Sequence, residues 1–277
     1  MQSWKHEYKG SNMNFADTYY KKTIIQKLFG PDELLTVFCA GTNMPLVQCS
    51  DDTGNDQVFV LEKEELLKDF CLPYAEKKLA VRGIKYPAKE KMKFFAAAAS
   101  MSIDEIIYVD ASGSHILPLP DIIKKKDLSS LPKEKRPVEN PALLLSGVYF
   151  MQEASRNVPP QEKKGLADLE EELSANIVKG TFIIPAQLDQ EMPKGQQPVK
   201  VPLLKTPAGD TLQPVFTDNL EFAKYNREGQ FKALAVPFPA LEKILAKEAK
   251  GFMLNPGGFH IVIAREMLKS LAIRFSR

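Results

Sequence analysis

Two apolar periods alternate along the chain and lay out its elements. From Leu212 to Thr217, β-branched and aromatic residues predict a strand; Thr217 or Asp218 then caps a helix over Asn219 to Asn226 carrying Leu220, Phe222, Ala223 and Tyr225. Lys232 to Phe238, closed by Pro237 and Pro239, predicts a second strand. Leu241 to Ala249, with Leu241, Ile244 and Leu245 at helical spacing, predicts a second helix. Gly251 to Leu254 and Phe259 to Ala264 are apolar runs joined by Asn255-Pro256-Gly257-Gly258. Proline presets one turn dihedral there and glycine accepts a positive one, so the stretch predicts a hairpin.

The first half shows the same order of parts. A helix through Ile24, Ile25 and Leu28, capped by Asn14 with Asp17 and stopped at Gly30-Pro31, precedes strands over Leu34 to Cys39, Pro45 to Cys49 and Gln57 to Leu61. The cluster Asp51 to Asp56 reads as a solvated turn; its glycine falls too early for a calcium loop and no closing glutamate follows. Next come a helix (Glu62 to Phe70), a strand (Lys78 to Ile84) and a longer helix (Ala88 to Met101, facing inward through Met92, Phe95 and Ala99). A hairpin, Ile103 to Asp110 and Ser114 to Leu119, and a short helix, Asp121 to Lys126, complete the half.

Aligning the two hairpins sets His115 against His260 and, without a gap, Asp121-Ile-Ile-Lys124 against Glu266-Met-Leu-Lys269. The chain thus reads as an α/β protein, mixed α+β in each part, built by tandem duplication of a small mixed β-sheet domain with packed helices. The domains expected are residues 1–130 and 138–277, joined by the proline-bearing linker Leu128 to Glu139. The second begins with a helical extension, 138–178. In it Asn140 caps a helix carrying Leu144, Val148 and Met151 inward, and Gln161 to Val178 forms another with Leu166, Leu169, Leu173 and Ile177 on one face. Strands at Thr181 to Pro185 and Val199 to Leu204 flank an exposed loop, 189–198.

Pro-Val-Phe-Thr-Asp (214–218) before an acidic-aromatic helix, followed by Gly-Phe-Met-Leu-Asn-Pro-Gly-Gly (251–258), resembles the N-terminal domain of the SseB family, bacterial proteins named for an enhanced serine sensitivity phenotype. The resemblance covers residues 175–272, with a diverged second copy over 32–126. It implies a setting in amino-acid tolerance and carries over no catalytic or ligand-binding residue.

Composition narrows the classes further. Lys and Arg number 37 against 35 Asp and Glu, so no net field invites nucleic acid or an acidic membrane. No apolar run reaches the ~20 residues that cross a bilayer, and the first residues lack a signal peptide's apolar region; a cytoplasmic protein is expected. Cys39, Cys49 and Cys71 lack disulfide or zinc spacing, and the settings of Cys39 and Cys71 suggest buried thiols.

Candidate chemistry is sparse. His6 lies in the N-terminal stretch, whereas His115 and His260 follow their hairpin turns. They read either as structural histidines or as an acid/base or metal pair brought together, but no carboxylate or cysteine stands beside them at ligand spacing. No phosphate loop, dinucleotide fingerprint or serine elbow occurs, so no cofactor and no metal are expected. The Lys124-Lys-Lys126 run reads as a solvated helix end and the aromatic residues of 216–238 as core. The candidate ligand-binding residues are Asn255, Gly257, Gly258, His260 and His115. The expected function is a non-catalytic interaction, regulatory or small-ligand-binding module acting on a protein partner or a metabolite. The alternative is an enzyme around His115 and His260, with Ser112, Asp110 or Asn255 nearby.

Overall fold

The computed structural model describes residues 15–124, 127–128, 130–132, 135–188 and 199–275. The Asn14 cap, His6, the last two lysines of the 124–126 run, part of the linker and the 189–198 loop lie outside them.

The first half opens with helix α1 (Phe15–Leu28) and strand β1 (Leu34–Cys39), then the two-residue strands β2 (Met44–Pro45) and β3 (Gln48–Cys49), where one strand was expected. β4 (Asp56–Leu61), α2 (Glu65–Glu76), β5 (Val81–Tyr86), α3 (Lys91–Ser100), β6 (Glu105–Asp110), β7 (Gly113–Pro118) and α4 (Leu119–Ile122) follow. β5, β1, β4, β6 and β7 lie side by side, with β4 and β6 parallel and the other neighbours antiparallel. β2 pairs with β1, and β3 with β4.

The second half holds α5 (Pro141–Ala154), α6 (Leu166–Lys179), β8 (Thr181–Leu188), β9 (Val199–Lys200), β10 (Leu204–Lys205), β11 (Thr211–Val215) and α7 (Asn219–Tyr225). β12 (Lys232–Pro237), α8 (Phe238–Ile244), β13 (Gly251–Leu254), β14 (Ile261–Ala264) and α9 (Arg265–Phe275) complete it. Here β12-β8-β9 and β10-β11-β13-β14 form two sheets that meet at the bridge Ile183–Phe216. Across that bridge the order β12-β8-β11-β13-β14 repeats the first half's, again with one parallel pair, β11 with β13. The mixed α/β class is therefore as expected.

Tyr108 pairs with Val60 on one side and His115 on the other; Leu254 pairs with Val215 and Ile261, and His260 stands just before β14.

Strand residues alternate between two covered faces. In β1, Leu34 and Phe38 point into one apolar cluster, and Leu35, Val37 and Cys39 into another beneath α2. The first cluster is shared by both halves: it holds Ile24, Phe94, Phe95 and Ile106 together with Leu144, Ile177, Phe252 and Leu268. A smaller one, Ile183, Phe216 and Phe222, lies under α7.

Several local expectations are corrected. α2 runs on through Pro73, because Phe70 and Tyr74 in its last turns pack on the Leu35 cluster. α3 buries Phe94, Phe95 and Ala98, while Met92 stays exposed. α4 stops at Ile122. α6 starts at Leu166, after Gly165 turns the chain at φ 72°, and buries Leu173 and Ile177 but leaves Leu166 and Leu169 half-buried. α8 begins at Phe238, earlier than expected, since Pro239 in a first turn has no N–H to waste. Cys39 is buried, but Cys71 is half-buried and Cys49 exposed. Lys91 is buried, and its ammonium donates to Leu28 and Gly30 carbonyls at 2.9 Å each, closing the end of α1. Burial lowers its pKa.

Candidate functional site

The Asn255–His260 turn is built inward. Asn255 sits at φ 49° and is fully buried. Its Oδ1 accepts the Thr217 amide at 3.0 Å, its Nδ2 donates to Thr217 Oγ1 at 2.8 Å, and its carbonyl accepts the amides of Gly258 and His260. Thr217 Oγ1 donates onward to Asp218, whose other oxygen caps α7 by accepting the amides of Leu220 and Glu221, the cap the sequence predicts. Asn255 therefore ties the hairpin to the start of α7.

Gly257 and Gly258 face the first half. The Asn43 side chain, itself held by Arg82, donates to the Gly257 carbonyl at 3.2 Å. A Cβ on Gly258 would stand 2.7 Å from Glu221 Oε2. Glu221 is buried; one oxygen pairs with Lys224, the other has no partner, and burial raises its pKa despite that lysine. Phe259, expected to begin a strand, is instead fully buried against Gly147 of α5. His260, at φ 40°, is exposed, with Nδ1 3.1 Å from the Gly258 carbonyl.

The first-half turn carries a polar cluster. Asp110 is buried and accepts the Ser112 amide at 2.7 Å, the Ser112 hydroxyl at 2.6 Å and the Tyr20 phenol at 2.5 Å. Burial opposes its ionisation, but these bonds and that from His115 hold the carboxyl well below the usual range. His115 Nε2 lies 3.1 Å from Ser112 Oγ and 3.2 Å from Asp110 Oδ1, with the Tyr20 ring edge-on at 4.9 Å. A serine-histidine-aspartate relay needs one imidazole nitrogen for the serine and the other for the carboxylate. Here a single nitrogen meets both and the serine donates straight to the aspartate, an arrangement that fixes a turn and α1. His115 and His260 share no bonding partner, and among the described residues no cluster of His, Cys, Asp and Glu is set to hold a metal.

A further concavity with converging polar groups lies elsewhere. A cleft of about 690 Å³ opens between β2, β3 and α2 of the first half and α5 and the approach to α6 of the second. Its floor is apolar, formed by Leu46, Val47 and Leu79. Gln152 from α5 crosses to Val47, accepting its amide and donating to its carbonyl at 2.9 Å each, and so fixes the two walls. Arg156 bonds the Lys77 carbonyl at 2.8 Å and Glu153 at 2.6 Å. The Tyr149 phenol donates to Asp56, and Tyr74 donates to Gln48 at 2.8 Å; burial raises both phenol pKa values. These residues come from separated stretches without a shared motif, so the sequence gives no signal for them.

Residues 164–270 match the family model described as the SseB protein N-terminal domain. The matched stretch runs from the start of α6 into α9 and does not extend to the first half. No curated protein and no solved structure matches the chain. Among the described residues, no helix is long and apolar enough to cross a membrane.

Proposed function

We propose that this chain, with an SseB-type domain at residues 164–270, is a non-catalytic binding module that takes a small metabolite into the cleft between its halves. The observation that carries the reading is the cleft itself: about 690 Å³ falls within the range of small-molecule sites, and both halves supply its walls. The first half enters as a second unit of the same kind, which its shared strand order supports. A bacterial setting in amino-acid tolerance follows from the family's name, and the cytoplasmic setting is the expectation from the hydropathy of the sequence. In this reading Asn255, Gly257 and Gly258 position the halves, while His115 and His260 are the side chains of the two turns that a protein partner could touch.

A ligand that binds only the folded protein raises its unfolding temperature. The test is thermal unfolding of the whole protein against amino acids and related metabolites, with Gln161→Trp, on the exposed rim, as a cleft-blocking variant. A shift for the wild type that Gln161→Trp abolishes supports the module. Shifts that survive the block overturn the cleft as the site.

A further inference from the structure

The Asn255–His260 turn sits at the boundary between the halves, and a buried carboxyl lies against it. A Cβ on Gly258 would stand 2.7 Å from Glu221 Oε2 and 3.5 Å from Met44 Sδ, so this glycine lies between α7 of the second half and β2 of the first. Beside it the Asn43 side chain reaches the Gly257 carbonyl at 3.2 Å, and Lys224 Nζ lies 3.5 Å from Met44 Sδ. Glu221 is 3% exposed and Met44 1%. Glu221 Oε1 pairs with Lys224, but Oε2 is sealed from solvent and meets no donor or acceptor among the described residues. An unpartnered buried charge costs more than an unpartnered buried dipole, so the closed boundary favours the neutral carboxyl. Four charged or titratable groups face this region. On α7 they are Lys224, whose side chain is 38% exposed and so partly screened, and Asp218, whose charge opposes ionisation of Glu221. From the first half comes Arg82, bonded to Asn43 at 2.8 Å, and from the turn His260, exposed with Nδ1 3.1 Å from the Gly258 carbonyl.

We propose that Glu221 is a proton-operated latch between the halves: with its carboxyl neutral the turn seats on Met44 and Asn43, and with it ionised the turn lifts, admitting water to Oε2 and breaking the Asn43–Gly257 bond. Opening returns the carboxyl to water and to its ordinary pKa, near 4.5, whereas burial raises that value in the closed form. Closure is therefore fully favoured below the ordinary value and is lost as pH rises through the closed-form one. Between the two the open fraction grows by up to about tenfold per pH unit. Gln152, which bonds across the boundary at Val47, does not titrate and keeps the halves joined while the turn moves.

Met44 reports the opening, since hydrogen peroxide transfers one oxygen atom to an accessible thioether, giving the sulfoxide and water. The experiment is a peroxide pulse on the folded full chain at a series of pH values upward from about 4.5, with oxidation at Met44 and Met101 read by peptide mass spectrometry. Met44 oxidation should rise with pH by up to about tenfold per unit, while Met101, fully buried in the shared core, stays protected. Glu221→Gln should keep Met44 protected at every pH. Lys224→Gln removes the charge that favours ionisation and should move the rise to higher pH. Flat protection of Met44 in the wild type, a rise that persists in Glu221→Gln, or a rise that Lys224→Gln leaves in place overturns the latch. Oxidation of Met44 and Met101 together would mark global unfolding and overturn it as well.

Discussion

At the scale of single residues, the two members of the Asn255–His260 turn that look most functional differ sharply in what they hold. Asn255 is buried and satisfies the Thr217 amide, so Asn255→Ala orphans a buried donor and should cost about 1–3 kcal/mol. His260→Ala should stay within about 0.5 kcal/mol, since the ring is exposed. Urea unfolding of the two variants checks the contrast, and equal losses would refute it. Glu221 adds a pH dependence. Its pKa is raised in the folded protein, so its contribution is fully present below the ordinary carboxyl value, near 4.5, and is lost as pH rises through the folded value. Glu221→Gln should therefore flatten the fall in stability as pH rises above about 4.5, as read from urea midpoints at a series of pH values; an unchanged slope would exclude Glu221 as its source. The place of the turn was legible in Asn255-Pro-Gly-Gly258, although the positive φ expected of a glycine there falls on Asn255 and His260 instead. The partners were not: Thr217 lies 38 residues before Asn255, and nothing in the order of residues says that Glu221 fills the space above Gly258.

At the scale of elements, local rules predicted existence better than ends. Most strands fell where alternation placed them, and Asp218 capped α7 as its side chain and position require. Asn140 shows where this reasoning stops. Its position before Pro141 is that of a helix cap, yet its amide donates instead to the carbonyls of Thr181 and Thr217, at 2.7 and 2.5 Å, pinning α5 to both sheets of the second half. Gly147 carries a second tertiary constraint. Glycine inside a helix is worse than alanine by about 1 kcal/mol. A Cβ at this position, however, would stand 2.9 Å from the buried Phe259 ring. Overpacking of a core costs about 1–3 kcal/mol, so Gly147→Ala should destabilise despite its better propensity. Phe259→Leu should relieve much of that penalty in the double variant. Thermal unfolding of the four-member cycle decides: additive effects would mean the two residues do not press on one another.

At the scale of the whole molecule, the question is how far two units with one connectivity act as one body. The sequence predicts two units and a linker, which suggests independence. The packing couples them: the central cluster takes β1, β4 and β6 from one side and α5, α6, β13 and α9 from the other, and Gln152 and Asn43 bind across the same boundary. Apolar contacts shared in this way cannot be lost from one half without exposing the other. Leu144 of α5 is buried in that cluster, and Leu144→Ala should cost about 2–5 kcal/mol. If the halves unfold together, that cost is felt everywhere in the shared core. The slowest-exchanging amides of β4 should then speed up by the same factor as those of β13, with one calorimetric transition moving down in temperature. Hydrogen exchange resolved by strand is the measurement. Faster exchange confined to β13, with β4 unchanged, would show that the first half keeps its own stability and that the cleft opens between separable bodies.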